Sequence, residues 1–116
     1  HFLQGWAPEV NFLDCGTVDT IGGSTCSPFG CYENVLVIDE WSPLEPGTGH
    51  QRKYYAPGVG IVRIGAVDDP EGETLVLTSQ TMLSPALRAE ARAAALKLEA
   101  RAYQVSNVYF YTRPAE

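Results

Sequence analysis

An α+β domain, mainly an antiparallel β-meander sheet followed by one alanine-rich C-terminal helix and a final aromatic strand, is the fold class these 116 residues predict. Three observations carry that expectation. Short apolar runs recur between Val10 and Thr78, each stopped by a Pro/Gly cluster that fixes or frees φ where the chain must turn. Eight alanines then fall between Ala86 and Ala102. Finally, Tyr103 to Thr112 returns to aromatic and β-branched residues.

The elements follow in order. From Val10 to Ile21, apolar residues occupy both parities, so the strand is expected to have apolar character on both faces. In the next run Val35, Val37 and Trp41 face one way, with Leu36 and Ile38 opposite, as suits a strand in the middle of a sheet. His50 to Ala56 sets Arg52 and Tyr54 against Gln51, Lys53 and Tyr55, and Val59 to Ala66 follows the Pro57-Gly58 turn. The acidic turn Asp68 to Glu73 leads to the strand Thr74 to Thr78. Connections this short demand antiparallel pairing.

Ser84-Pro85 is a helix start, a capping hydroxyl with proline in the first helical position. The helix Ala86 to Ala102 carries the stripe Leu87, Ala91, Ala94, Ala95 and Leu98, whose small residues allow a second backbone to approach closely. Its basic residues Arg88, Arg92, Lys97 and Arg101 read as a solvated face. In the final strand Tyr103, Val105, Tyr109 and Tyr111 share one face, while Val108 and Phe110 lie on the other. A strand apolar on both faces must join a sheet, its own or another molecule's. The expected division is a β-domain over residues 1–83 and a helix-plus-strand extension over 84–116.

Glu40-Trp41-Ser42-Pro43-Leu44-Glu45-Pro46-Gly47 and Lys53-Tyr54-Tyr55-Ala56-Pro57-Gly58-Val59-Gly60 are the most specific motifs. With Gln4 to Pro8, Pro28 to Gly30, Val35 to Val37 and Leu75 to Leu77, this pattern resembles a family of uncharacterised secreted or lipoprotein-type bacterial β-domains of unknown function. The resemblance covers roughly two thirds of the chain. It implies an extracytoplasmic antiparallel β-structure, and a long β-rich half ahead of the position matching Gln4. It also implies an end soon after Leu77, whereas Ser79 to Glu116 follow here.

Cys26 and Cys31 bracket the turn-forming Ser27-Pro28-Phe29-Gly30, which brings them within disulfide range if it closes as a hairpin. Cys15, on the preceding strand, is the competing partner, and an odd count leaves one thiol free, buried or paired to another chain. A zinc site would need His1 or His50 and lacks paired ligand spacing. A disulfide places the chain outside the cytoplasm.

The net charge of −6, with eight Lys and Arg against fourteen acids, argues against nucleic acid. No apolar run approaches the length of a membrane-spanning helix. His1 in place of Met suggests processing or an incomplete start. Asp39 and Glu40 point to opposite faces of a strand, which is wrong for a carboxylate pair sharing one substrate. His50 with Glu45 has the makings of a base and its orienting partner, but no nucleophile elbow accompanies them. Gly47-Thr48-Gly49 before Lys53 lacks phosphate-loop spacing. Asp68 to Glu73 has oxygen ligands for calcium, yet reads better as a solvated turn. Trp41, Tyr54 and Tyr55 offer a sugar-stacking face or, more plainly, core.

No catalytic constellation, cofactor or metal is expected. The leading expectation is a non-enzymatic extracellular structural protein that forms fibres with copies of itself by strand addition. Tyr103, Val105, Val108, Tyr109, Phe110 and Tyr111 would serve as donors, with Leu87 and Leu98 on the helix contact stripe. The alternative is a monomeric secreted domain binding carbohydrate or an apolar ligand.

Overall fold

The computed structural model describes every residue except Pro70, Glu71 and Glu116. The chain forms two compact units, His1–Gln80 and Thr81–Glu116. The first is an antiparallel sheet whose strand order follows the sequence: β1 (Phe2–Ala7), β2 (Phe12–Cys26), β3 (Cys31–Trp41), β4 (His50–Ala56), β5 (Gly60–Val67) and β6 (Leu75–Val76). It is the expected meander, lengthened at its start.

β1 precedes the first expected strand. Pro8–Val10 form a 3₁₀ turn, and Asn11, with φ of 53°, reverses the chain into β2. β2 then runs past Ile21 to Cys26, interrupted by register shifts between Val18 and Ser24. The shifts begin only beyond Val18, so Phe12 and Val18 lie on one face and Leu13 and Cys15 on the other, and β2 carries apolar residues on both faces.

Ser27 and Gly30 exchange backbone hydrogen bonds of 2.8 and 3.2 Å across the β2–β3 turn, leaving Cys26 and Cys31 directly opposite. Their Cα atoms are 4.0 Å apart and their sulfurs are bonded, while Cys15 is free and half-buried. Of the pairings open to the three cysteines, the local hairpin pairing is therefore the one formed.

The core gathers Val35, Val37, Ala56 and Val62, with Tyr32, Tyr54, Val59 and Leu77 packed around it. Leu77 closes this end of the sheet. Its amide donates to Val62 at 2.9 Å and its carbonyl accepts from Phe29 in the β2–β3 turn at 3.4 Å, drawing the disulfide hairpin toward the last strand. At the opposite end of β3 it is the other face that is buried, at Ile38 and Glu40.

In the second unit, α1 spans Pro85–Val105, and the Ser84 hydroxyl accepts from the Leu87 amide at 3.3 Å, the N-cap the sequence announces. The final aromatic strand is absent. Tyr103 and Val105 complete the helix, and Tyr109–Tyr111 form a 3₁₀ turn that folds back on it. The Tyr103 ring meets the Tyr109 ring edge-on at 5.7 Å, its hydroxyl donates to the Thr112 carbonyl at 3.2 Å, and Glu99 accepts from the Ala115 amide at 2.9 Å. The physical reason is hydrogen-bond supply. A helix already formed satisfies each added residue from its own preceding turn, whereas a strand needs a partner that this unit does not contain.

Candidate functional site

The sheet builds one polar cluster on an otherwise apolar face. The β2–β3 and β3–β4 registers place Gly16 beside Glu40, Val18 and Lys53 beside Ile38, and Tyr55 beside Leu36. Glu40, 4% exposed, lies in their midst. One carboxylate oxygen accepts from Gln4 Nε2 at 2.7 Å and from the Tyr55 hydroxyl at 3.2 Å; the other is paired with the Lys53 ammonium. Gln4 reaches in because it shares the face of Phe2, which stands beside Gly16 and so on the Glu40 side; the register shift between Leu3 and Gly5 leaves it without a direct partner on β2.

Above this floor is a cavity of about 310 Å³ lined by Asp14, Trp41, Ser42, Glu45, Thr48 and Lys53, among others. Its wall is the Ser42–Gly49 loop. Ser42 pins that loop to β2 by donating to the Leu13 carbonyl at 2.6 Å, and its oxygen also accepts from the Leu44 amide at 3.3 Å. Gly49, with φ of 86°, lies so close to the β5–β6 connection that a Cβ there would stand 2.5 Å from the Asp69 Cα.

Burial, and secondarily the Glu40 charge, push the Asp14 carboxyl above its ordinary value of 3.8, against the pull of Lys53 and the Cys15 amide. Burial and then Glu40 likewise raise the Tyr55 phenol. A raised carboxyl holds its proton more tightly folded than unfolded. Its contribution to stability is thus complete below pH 3.8 and is lost as pH rises through the folded value. Asp14→Asn should therefore give a small gain in urea midpoint at pH 7 that vanishes near pH 3; equal gains at both would refute the assignment.

The opposite face carries a second polar group. His50 Nδ1 lies 3.0 Å from Asp39 Oδ2, and Arg52 bridges Asp19 at 3.5 Å and Asp39 at 3.9 Å. The β3–β4 register delivers Asp39, and not the Glu45 weighed from the sequence, to the imidazole, which also stacks on Trp41 at 5.6 Å. Cys15 pairs with Trp41 on the far side of β3. Two strand spacings, roughly 10 Å, and the indole therefore separate thiol from imidazole, too far for one to activate the other. Asp39 and Glu40 do face opposite ways.

Trp41 and Tyr54 share a face that Tyr55 does not, and Tyr54 lies under the Arg63 guanidinium at 5.4 Å, so the three rings form no single stacking platform. Pro70 and Glu71 of the acidic turn lie outside the described residues. Among the described residues no group of three or more His, Cys, Asp or Glu side chains is arranged to hold a metal ion, and no helix is long and apolar enough to cross a membrane.

None of the expected assembly residues lies in a strand. Leu87 and Leu98 are exposed on α1, and Val105, Tyr109, Phe110 and Tyr111 are exposed at its C-terminal end, with Tyr103 and Val108 partly covered. What sequence reasoning missed is apolar surface on the sheet. Leu3, Trp6, Ile21 and Leu75 are all more than half exposed, and both edge strands are open. The signal was present in Phe2-Leu3-Gln4-Gly5-Trp6-Ala7, an uncharged aromatic run. No protein-family model, curated protein or solved structure matches the chain.

Proposed function

We propose that this is a non-enzymatic structural β-domain that assembles with copies of itself outside the cytoplasm. The observation that carries the reading is uncovered surface. Phe2, Leu3 and Trp6 on β1, Phe12, Val18 and Ile21 on β2, and Leu75 and Val76 on β6 are each more than 40% exposed. Much of the exposed apolar surface belongs to β1, β2 and β6. The Cys26–Cys31 disulfide is compatible with an oxidising compartment.

The assembling surface is assigned to the sheet, not to Tyr103–Thr112, which has its own hydrogen-bond partners. Electron microscopy and light scattering over a range of concentrations, without reductant, test the reading. Particles that grow with concentration are expected, and they should persist when Tyr103 to Glu116 is deleted. Monomers at every concentration would overturn the proposal. They would leave the ligand-binding alternative, for which the cavity above Glu40 is the place to look.

A further inference from the structure

Resting on that self-assembly reading, we infer that copies join head to tail, β1 of one chain adding as a strand beside β6 of the next. Strand number makes this possible. In an antiparallel sheet ordered β1 to β6, the two edge strands run in opposite directions. A second copy in the same orientation therefore presents its β1 antiparallel to the first copy's β6, and the meander continues across the joint. Such a contact uses two different surfaces and, unless rotation closes it into a ring, propagates.

The two edges are chemically matched. Natural sheets guard their edges with charge or proline, yet β1 has neither between Phe2 and Ala7. Its one irregularity is the shift at Gln4, whose side chain is committed to Glu40. At the other edge β6 is flanked by an apolar groove of about 380 Å³ lined by Ile61, Ile64, Leu75, Val76 and Leu77. Leu77 donates to Val62, so by antiparallel alternation Val76 turns its own amide and carbonyl outward, free to receive a strand.

The faces correspond as well. Leu75 shares a face with Ile64, and thus with Lys53, Ile38, Gly16 and Phe2; Val76 shares the opposite one with Arg63 and, across the sheet, with Leu3. Continuing the sheet puts Leu75 on the face of Phe2, and Val76 on the face of Leu3 and Trp6; with Val76 opposite Leu3, Leu75 stands opposite Gln4 and diagonal to Phe2. All five apolar side chains are more than a third exposed in the single chain. The only charged side chain in the receiving groove, Arg63, is held over Tyr54.

Cysteine cross-linking tests the joint. In a Cys15→Ser background, Leu3→Cys and Val76→Cys chains are prepared separately, mixed and oxidised. Disulfide-linked dimers should form in the mixture and in neither sample alone, and a chain carrying both substitutions should give a ladder on a non-reducing gel. Trp6→Lys should raise the concentration for half-assembly roughly thirtyfold, the scale of losing a buried tryptophan anchor, with its unfolding midpoint unchanged. Cross-linking of Leu3→Cys with itself would instead establish β1 against β1, a closed pair, and overturn the head-to-tail joint. Assembly seen by light scattering with no cross-link in any sample would overturn the joint while sparing the self-assembly reading. Monomers throughout would end both.

Discussion

Lys53→Ala should destabilise the β-unit by about 3 kcal/mol, the usual scale for stripping a buried charge of its partner. The Glu40 side chain is 3% exposed and Lys53 22% exposed, so the ammonium is the principal compensation for a carboxylate that water scarcely reaches. Gln4 and Tyr55 would continue to donate to it, but two neutral donors do not replace a cation. Removing both charges together has the opposite logic. Glu40→Leu with Lys53→Met takes away the desolvation penalty along with the attraction, and the double variant should recover most of the loss. Urea midpoints at constant slope make the comparison. A single-variant loss below about 1 kcal/mol, the scale of a surface pair, would mean the pair is solvated and structurally minor.

Gly49→Ala should cost about as much, for a backbone reason. The added Cβ would stand 2.5 Å from the Asp69 Cα and 2.6 Å from the Asp68 carbonyl oxygen, so a main chain, not a flexible side chain, must give way. The residue also has φ of 86°, a conformation that alanine adopts only at a cost. Gly47→Ala separates these two contributions, since Gly47 has φ of 94° with nothing within 4 Å of its Cβ position. We expect about 1 kcal/mol at Gly47 and about 3 kcal/mol at Gly49. Equal losses at the two sites would show that the Ser42–Gly49 loop does not press on the β5–β6 connection. The cavity wall above Glu40 would then be softer than its packing suggests.

Most of the sheet was legible because its signals are local. Pro57-Gly58 punctuates β4 from β5, and Gly58 indeed takes positive φ. Ser27 to Gly30 reads as a turn and closes as one, and the β2–β3 register then sets Cys26 opposite Cys31 and settles the competition with Cys15. Ser84-Pro85 caps α1 as read. The candidate site was legible only in pieces. Glu40, Lys53 and Tyr55 stand within the Glu40–Gly47 and Lys53–Gly60 motifs, but Gln4 and Asp14 carry no pattern. Gln4 arrives through the pairing of β1 with β2, and Asp14 through a strand two removed from Lys53, and neither pairing is written in a local signal.

By itself, then, the sequence determined the order of β2 to β6, the turn that brackets Cys26 and Cys31, and the start of the helix, because turn residues, short loops and caps act over a few positions. Tertiary structure alone decided which charges meet. Register placed Asp39, not Glu45, against His50 and gathered Gln4, Lys53 and Tyr55 on the Glu40 carboxylate. It decided the fate of Tyr103 to Thr112 too, for a strand exists only where another strand can take its hydrogen bonds. With none in its unit, that segment completes a helix and folds back on it, while β1 and β6 remain as open edges.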